Sequence, residues 1–522
     1  MATRTVVVLS LLALALAAGL AFHYWGGPKL QEMGLEMASE AGGIHGTVRV
    51  AGDNYLGYWF LTSRQFQQRL REKGYAVRWS NDGGNYSERH AKFARGEYDL
   101  MVLPVNSYLE HGRGYSYPGV ITAAVSDSKG ADRIVAYQDQ LPGGTGRAPA
   151  VNDLNGPRLK ICLTPDSPSS FLLNIAIAHF ALDDLKAATS RRINSDGSED
   201  AFRRFQRHEC DAAVLWEPDV SRSLSIAGVA PVFGSDQVSE LIIDVFVARR
   251  QLVQTKPEML KAFFQAYFET LGYYAGDHDQ LVQDVTRGSE FSGRDAAERA
   301  LASVAWLDLQ AQCRDWFNIG LPGVAATTRE KLVDTIVQVT RVLVSVGTVD
   351  SDPLGGNPYR ITHKELLASL CSELLAGQPV RPALGPAFKS LSDEEWGRLR
   401  VIGKLRVAPI TFDAGTARLT REGTGVIDQV AAALLHNYPQ YRVLVRGHTG
   451  PSEEEEANVA LSSERAIAVV SYLRSTLGMD ESRLRPIALG SREPLPRNPG
   501  EGDLSYRNRL ARVEFVLVEE GS

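Results

Sequence analysis

The pattern of hydrophobic and polar positions divides the chain into regions of different character. Apolar or small residues run without interruption from residue 5 to residue 22. From Gly46 onward, short apolar runs alternate with amphipathic stretches. The short runs have the length of β-strands, and the amphipathic stretches have the 3.6-residue spacing of helices. This alternation predicts an α/β architecture for the main part of the chain.

The first apolar run is long enough to cross a membrane. As a helix, residues 5–22 would extend about 27 Å, close to the thickness of the hydrocarbon layer. Arg4 precedes the run and His23-Tyr24-Trp25 follows it, which favours a cytoplasmic N-terminus and an aromatic belt at the far interface. A cleaved signal peptide is the alternative, because Ala13-Leu14-Ala15 has the form of a cleavage site. We therefore expect a membrane anchor with the bulk of the chain outside the cytoplasm or, after cleavage, secretion across that membrane.

Two parts of the α/β region repeat one pattern. In each, a helical stretch leads into a polar turn that ends in Asp, and an apolar run follows. The first turn is Arg95-Gly96-Glu97-Tyr98-Asp99, before residues 100–103, and the second is His208-Glu209-Cys210-Asp211, before residues 212–215. Two lobes of similar construction are the simplest interpretation. The mostly helical residues 257–375 should pack on these lobes.

The pattern changes again near residue 376, where Pro, Gly and Ala become frequent. Beyond this stretch, predicted strands and helices follow one another in the order βαβαββ, which indicates a smaller α+β domain. The strands are predicted at residues 405–412, 442–445, 484–489 and 512–518, and the helices at 420–436 and 458–477. The domain boundaries that we predict are 1–25 (signal anchor or signal peptide), 26–45 (linker), 46–375 (two-lobed domain), 376–398 (linker) and 399–520 (C-terminal domain).

Composition narrows the possible functions. The 522 residues are 44% hydrophobic and 23% charged, as in globular proteins of several domains. The net charge of -6, without a block rich in Lys and Arg, gives no electrostatic basis for binding nucleic acid. Cys162, Cys210, Cys313 and Cys371 are widely spaced and form no Cys-x-x-Cys, which argues against a zinc site. Disulfides and free thiols both remain open, and no cofactor or metal is predicted.

A motif near the end of the chain points to the cell wall. Arg446-Gly447-His448-Thr449-Gly450 is followed by Asn458 and by Leu461-Ser462-Ser463-Glu464-Arg465-Ala466. This spacing resembles the peptidoglycan-binding domain of the OmpA-like family, with its Gly-His-Thr-Asp turn and Asn-x-x-Leu-Ser-x-x-Arg-Ala helix. The resemblance implies peptidoglycan as a partner and a pocket formed by His448, Thr449, Asn458, Arg465, Arg507 and Arg512. It also implies a bacterial cell envelope, with an inner-membrane anchor and periplasmic domains or, after signal cleavage, secretion to the periplasm. Gly450 replaces the family's Asp, so weak binding is expected.

A second resemblance covers residues 46–375. It rests on the strand entry at residues 153–161, on the polar loop at residues 164–171 that opens a helix, and on Asp211-Ala212-Ala213-Val214-Leu215-Trp216-Glu217-Pro218. These features are similar to the periplasmic binding proteins of nitrate, sulfonate and taurine ABC transporters, a superfamily that also contains thiamine-pyrimidine synthases. The resemblance implies a two-lobed periplasmic-binding-protein type II fold with a ligand cleft.

Loops at the carboxyl ends of strands meet in open α/β sheets and would line this cleft. Ser169 and Ser170 lie where a helix begins, so unpaired N–H groups favour a polar or anionic ligand. Capping of the helix is the alternative role for these serines, as core packing is for the two tryptophans. The candidate cleft residues are Tyr58, Trp59, Asn81, Asn106, Ser107, Ser169, Ser170, Trp216 and Glu217.

No catalytic motif is present in the sequence: it has no P-loop, Gly-x-Ser-x-Gly, His-Glu-x-x-His or dinucleotide fingerprint. We therefore predict a non-enzymatic envelope protein that binds a small polar or anionic ligand and is tethered to peptidoglycan. An inner-membrane transporter or sensor is the expected partner. One alternative is a wall-anchored interaction or sensory protein with a degenerate cleft, and another is an enzyme of the thiamine-pyrimidine synthase type.

Overall fold

The computed structural model describes residues 43–288, 291, 293–319, 329–375, 388–413, 415–450 and 454–521. The predicted membrane segment at residues 1–25 and most of the first linker lie outside these residues. Within them, no helix is both long and apolar enough to cross a membrane. The fold is mixed α/β, as predicted, with three sheets.

The strands are β1 (Gly46–Gly52), β2 (Tyr75–Asn81), β3 (Leu100–Pro104), β4 (Gly119–Ser128), β5 (Asp132–Tyr137), β6 (Ile161–Leu163), β7 (Arg192–Asn194), β8 (Ala212–Trp216), β9 (Val229–Gly234), β10 (Ile243–Arg249), β11 (Val304–Trp306), β12 (Arg400–Lys404), β13 (Arg442–His448), β14 (Leu484–Ala488) and β15 (Arg512–Glu519).

The helices are α1 (Arg64–Glu72), α2 (Tyr86–Arg95), α3 (Val105–Gly112), α4 (Pro168–His179), α5 (Asp183–Ala187), α6 (Ser198–Gln206), α7 (Asp219–Leu224), α8 (Arg250–Thr255), α9 (Pro257–Gly276), α10 (His278–Gly288), α11 (Arg294–Ala302), α12 (Leu309–Ala311), α13 (Lys331–Val346), α14 (Glu365–Leu374), α15 (Asp393–Gly397), α16 (Arg421–His436), α17 (Glu455–Ser475) and α18 (Asp503–Leu510).

The first lobe is built on a six-stranded sheet in the order β11-β4-β10-β3-β1-β2. Strand β1 is parallel to β2 and β3, whereas β10 is antiparallel to both of its neighbours, β3 and β4. Every residue of β3 and β4 is buried. Strands covered on both faces account for the nearly continuous apolar runs in the sequence.

The second lobe has a five-stranded sheet in the order β7-β6-β8-β5-β9. The chain passes from the first lobe to the second between β4 and β5, through residues 129–131, and returns between β9 and β10, through residues 235–242. The repeated sequence pattern is confirmed: α2 and its polar turn lead into β3 in one lobe, and α6 and its turn lead into β8 in the other.

The C-terminal domain has a four-stranded sheet in the order β12-β15-β13-β14. Its first strand is Arg400–Lys404, and the predicted strand at residues 405–412 is wrong. The segment leaves the sheet after Leu405: Leu405 N still donates to Phe515 O at 2.9 Å, whereas Arg406 N donates to His179 O of the second lobe at 2.6 Å. A short helix, α18, also precedes the last strand, where the predicted βαβαββ order has none.

Part of the predicted linker 376–398 belongs to the C-terminal domain. Its residues 376–387 lie outside the described part of the chain, but Asp393–Gly397 forms α15. The Arg442 guanidinium lies 5.6 Å from the centre of the Trp396 ring, and Asp393 pairs with Arg485 at 2.9 Å.

All four cysteines form disulfides, which settles the alternative that the sequence left open. Cys162 of β6 is bonded to Cys210, and Cys313 is bonded to Cys371 of α14. Each bond joins positions far apart in the sequence within one lobe. Such closed loops restrict the unfolded chain and are typical of proteins that fold in an oxidising compartment.

Candidate functional site

A cavity of about 350 Å³ lies between the two lobes. From the first lobe it is lined by Asp53, Asn54, Tyr55, Tyr58, Gly83, Gly84, Asn85, Tyr86 and Asp244. From the second lobe it is lined by Asp132, Thr164, Pro165, Ser167, Pro168, Ser195, Asp196, Gly197 and Trp216. Both lobes therefore contribute to one polar and aromatic site, in the position expected for a ligand cleft.

A buried arginine supports the first-lobe wall of this cavity. Arg89 of α2 is 0% exposed, and Nη2 donates to Asp53 Oδ2 at 2.8 Å and to Asp82 Oδ1 at 2.5 Å. Its Nη1 also donates to Val102 O at 2.6 Å. A buried guanidinium is tolerated only when paired in this way. Arg89 is thus committed to two carboxylates of the protein itself.

Asp244 lies at the amino end of β10 and is 2% exposed. It accepts a hydrogen bond from the Tyr58 hydroxyl. Among the described residues, no basic side chain lies within salt-bridge distance of Asp244. Burial, reinforced by the charges of Asp53 and Asp132, raises the pKa of Asp244 well above its ordinary value.

Asp132 begins β5, directly after the first crossing between lobes, and is 3% exposed. Ser169 Oγ donates to its Oδ1 at 2.9 Å, and Ser128 Oγ donates to its Oδ2 at 3.0 Å. Burial raises the pKa of Asp132 to about 6. The carboxylate therefore connects the amino end of helix α4 to the crossing.

Ser235 ties the two crossings together. Its Oγ lies 2.7 Å from Ser128 Oγ on the first crossing strand. It also accepts hydrogen bonds from Gly130 N at 2.8 Å and from Asp132 N at 3.3 Å. A change in the angle between the lobes would therefore alter the hydrogen bonds around Asp132, which lies in the cavity wall.

Three of the predicted cleft residues are at the site. Tyr58 and Trp216 line the cavity, and Ser169 contacts it through Asp132. Ser170 takes the capping role instead, since its N–H donates to Ser167 Oγ at 3.1 Å and its hydroxyl donates to Ser167 O at 2.8 Å.

The remaining predicted cleft residues do not line the cavity. These are Trp59, Asn81, Asn106, Ser107 and Glu217. They are held in other contacts. The Trp59 ring packs 5.6 Å from that of Tyr274, Asn81 accepts from Gly83 N at 2.9 Å, Asn106 donates to Glu110 at 3.1 Å, and Glu217 accepts from Ser221 at 2.8 Å. Ser107 is fully buried in α3.

The predicted wall-binding residues meet where β13 ends and α17 begins. A Cβ on Gly447 would lie 2.0 Å from Ser462 O, so glycine is needed for this close approach. His448, Thr449 and Asn458 are all buried beside it. Within the described residues, Thr449 Oγ1 and Asn458 Nδ2 have no hydrogen-bond partner. Buried donors and acceptors left in this state are suited to a ligand.

Arg465 is held in place by neutral groups. Its Nε donates to Thr416 O at 3.2 Å, and its guanidinium lies 5.1 Å from the centre of the Phe412 ring. Partial burial lowers the pKa of Arg465 from its ordinary value. No carboxylate of the described residues forms a salt bridge with it. The guanidinium is therefore placed to accept a carboxylate from outside the chain.

Arg507 and Arg512 differ in their surroundings. Arg507 is exposed on α18. Arg512 donates from Nε to Glu514 Oε1 at 2.7 Å. Burial acts to raise the pKa of Glu514, but its contacts with His448, Lys404 and Arg512 outweigh burial and hold that pKa well below its ordinary value. Arg512 is thus already paired within the protein.

Comparison with known proteins identifies the C-terminal domain. Residues 411–507 match the model of the OmpA family. The probable lipoprotein YiaD of Escherichia coli (strain K12) is 37% identical over 109 residues, which are 21% of this chain and 47% of that protein. The peptidoglycan-associated lipoprotein of Rhizobium meliloti (strain 1021) is 31% identical over 113 residues, or 22% of this chain and 61% of that protein. The chain spans about half to three fifths of the length of these curated relatives.

The two-lobed domain is compared with solved structures. A putative periplasmic sulfonate-binding protein SsuA from Methylobacillus flagellatus KT covers 66% of this chain and 98% of its own, with 13% identity and a TM-score of 0.47. The aliphatic sulphonate binding protein SsuA from Escherichia coli covers 50% and 85%, with 15% identity and a TM-score of 0.41. These values are too low to bear on the ligand. The protein thus carries an OmpA domain at its C-terminus, behind a two-lobed α/β domain with an interlobe cavity.

Proposed function

We propose that this is a bacterial cell-envelope protein that binds a small ligand between its two lobes and is tethered to peptidoglycan by its OmpA domain. The observation that carries the proposal is the polar cavity lined from both lobes, on a chain that ends in an OmpA domain. A ligand that contacts both lobes favours the form in which they are closed on it. Polar side chains line the cavity and apolar ones do not fill it, which favours binding over a degenerate cleft. Binding without catalysis is the function proposed.

We place the wall contact at the end of β13 and the start of α17. Arg465 would accept a carboxylate of the wall peptide, and Thr449 and Asn458 would supply hydrogen bonds to it. The names of the Rhizobium meliloti protein and other relatives as peptidoglycan-associated support this assignment. The two large domains would then be periplasmic, and an inner-membrane transporter or sensor would receive the ligand. A role of residues 1–25 as anchor or signal peptide stays a prediction.

Sedimentation with purified sacculi tests the wall contact. Arg465→Ala should weaken binding by about tenfold to a hundredfold, because it removes one charge-assisted hydrogen-bonding group. Arg474→Ala is the matched control, since Arg474 is an exposed arginine on the same helix, paired with Glu481 at 2.8 Å. If the two variants sediment alike, the pocket is assigned to the wrong residues.

The same sedimentation assay tests the effect of Gly450, which stands where the turn of the OmpA-like family has an aspartate. Within the described part of the chain, a Cβ on Gly450 would meet only Arg507 O, at 3.5 Å, which is an ordinary van der Waals contact. Gly450→Asp supplies the carboxylate that the family's turn provides and should strengthen binding by about tenfold or more. Gly450→Ala has the same backbone effect without the charge and should sediment like the parent. An aspartate no better than alanine would show that the turn does not contact the wall peptide.

A further inference from the structure

We propose that the interlobe cavity selects a small organic cation, an ammonium or amidinium group carried on an apolar body. This inference rests on the proposed ligand-binding function and names its substrate class. It departs from the polar or anionic ligand expected from the sequence. Four features of the cavity support it: the acidic side chains, the burial of two carboxylates, the aromatic rings and the unpaired polar atoms.

The charged side chains that line the cavity are all acidic. They are Asp53, Asp132, Asp196 and Asp244, and the described part of the lining contains no Lys, Arg or His. Arg89 lies behind the wall, but its guanidinium is shared between Asp53 and Asp82. With one arginine set against these carboxylates, the cavity is electronegative. An anion would have to enter against that potential, whereas a cation would be attracted.

Two of the carboxylates lack a cation. Asp244 belongs to the first lobe and Asp132 to the second, and both are at least 97% buried. Among the residues that the structure describes, the side-chain partners of each are hydroxyl groups alone. A buried carboxylate without a positive partner costs free energy. A ligand cation between the lobes would supply the partner to both and would favour their closure.

Aromatic rings form much of the remaining wall. Tyr55, Tyr58, Tyr86 and Trp216 line the cavity, and the Tyr55 and Tyr58 rings meet edge to face at 5.2 Å. Aromatic faces attract ammonium and amidinium groups and also pack against the apolar part of a ligand. The Arg89 guanidinium, 4.7 Å from the centre of the Tyr86 ring, shows this chemistry within the protein itself.

Unpaired polar atoms give an independent sign of a ligand. Ser195 lines the cavity, is 5% exposed, and its Oγ has no hydrogen-bond partner among the described residues. The same holds for Thr164 Oγ1, also on a lining residue. Buried hydroxyls are normally paired. Each of these two hydroxyls can accept a hydrogen bond from an N–H donor, and an ammonium or amidinium group provides several such donors.

The amino end of helix α4, from which the sequence predicts an anionic ligand, interacts with groups of the protein itself. Pro168 at the first position of α4 has no N–H, and Ser167 Oγ accepts from Ser170 N at 3.1 Å. The next residue, Ser169, directs its hydroxyl to Asp132. The positive end of the helix therefore faces a carboxylate of the protein.

A metal ion is a weaker candidate, because the described residues contain no cluster of three or more His, Cys, Asp or Glu side chains arranged to hold one.

Matched probes test the charge preference. Calorimetric titration of the full-length protein at pH 7.5 would use triplets of equal shape: benzylammonium, benzyl alcohol and benzoate, and the corresponding cyclohexylmethyl and butyl compounds. Benzamidinium, taurine, nitrate, methanesulfonate, CaCl2 and ZnCl2 complete the panel. In each triplet that binds, the ammonium member should bind at least tenfold more tightly than the alcohol, and the carboxylate should bind least.

Two variants connect that preference to the carboxylates. Asp244→Asn and Asp132→Asn should each weaken binding of the ammonium probes by about tenfold to a hundredfold. Their melting temperatures should be equal to or above the parent's, since each removes an unpaired buried charge. Asp139→Asn, an exposed site on the same lobe as Asp132, is the control and should change neither quantity.

The outcomes separate the two proposals. Tighter binding of the carboxylate, sulfonate or nitrate probes, or of a metal ion alone, would overturn the cation inference and leave a ligand-binding cleft. Ammonium binding that survives both Asn variants would also overturn it. If no probe of any charge binds, and native mass spectrometry of protein purified from its own cells shows no bound small molecule, both the inference and the proposed cleft function fail.

Discussion

At the scale of single residues, the burial of Asp132 makes the stability of the ligand-free protein depend on pH. Its pKa is raised from the ordinary 3.8 to about 6 by burial, while the hydroxyls of Ser128 and Ser169 act to lower it and the charge of Asp53 acts to raise it. Asp132 therefore binds its proton more tightly in the folded protein than in the unfolded chain, although at pH 7.5 it is ionised in both. Its stabilising contribution is complete below about pH 4 and is lost as the pH rises through 6.

Asp132→Asn should remove this dependence. Relative to the parent, the variant should gain little free energy of unfolding at pH 4 and about 2–3 kcal/mol at pH 7.5. Urea unfolding at the two pH values measures the difference, with Asp139→Asn as the control for a carboxylate that is exposed. An equal gain at both pH values would mean that the amide changes packing and that ionisation of Asp132 is not the cause.

The sequence predicts only part of the cleft because its chemistry depends on contacts between distant residues. Tyr58 follows strand β1 and Trp216 ends strand β8, so both are predicted by the rule that residues at the carboxyl ends of strands line the cleft. The same rule identifies Asp53, which follows β1 directly. Asp244 reaches the site because β10 inserts antiparallel between β3 and β4, a pairing that no local pattern records. The expected anion came from the helix start alone, and the partner of that helix, Asp132, lies 37 residues earlier.

At the scale of elements, the contact between β13 and α17 depends on a single glycine. Gly447→Ala would place Cβ 2.0 Å from Ser462 O and 2.9 Å from Ser462 C, both backbone atoms that cannot move without shifting the helix. We expect the free energy of unfolding of the C-terminal domain to fall by at least about 2 kcal/mol.

Gly425→Ala provides the contrast. Gly425 lies in α16, and a Cβ there would have open space around it. Since alanine favours helix over glycine, this variant should be stabilised by up to about 1 kcal/mol. Differential scanning calorimetry of the two variants measures both effects. A Gly447→Ala protein as stable as the parent would show that the helix can withdraw from the strand at no cost.

Elements with a strong local signal were predicted well. The helix predicted at 420–436 is observed as Arg421–His436, because its apolar spacing and its N-cap at Thr420 act locally. The strand predicted at 405–412 is absent because the segment leaves the sheet after Leu405, where Arg406 N donates to His179 O of the second lobe and Thr411 pairs with Thr420 in its own domain. Apolar alternation cannot reveal such a partner.

At the scale of the whole molecule, the C-terminal domain lies directly against the second lobe. Lys404 N donates to Asn152 Oδ1 at 2.7 Å, and Ser239 N donates to Asn437 O at 2.8 Å. Ser239 belongs to the second crossing between lobes, residues 235–242. The C-terminal domain therefore contacts both the second lobe and one of the two crossings between the lobes. The sequence predicts a linker between the two domains and does not predict this contact, because residues distant in sequence form both surfaces.

Tyr438 is central to this contact and provides its test. Its side chain is fully buried, its hydroxyl lies 2.7 Å from His179 Nδ1, and its ring lies 5.7 Å from that of Phe180. Tyr438→Ala removes a large buried ring, a loss typically worth about 3–5 kcal/mol, from the face between the domains. We expect the C-terminal domain to separate from the second lobe, with a larger radius of gyration in small-angle X-ray scattering and two calorimetric transitions.

Tyr472→Ala is the control. Tyr472 lies on α17, its hydroxyl bonds Asp428 within the same domain, and the variant should keep the parent's radius of gyration. If Tyr438→Ala also keeps that radius, the two domains are held together by other contacts, and a movement of the lobes need not reach the C-terminal domain through this surface.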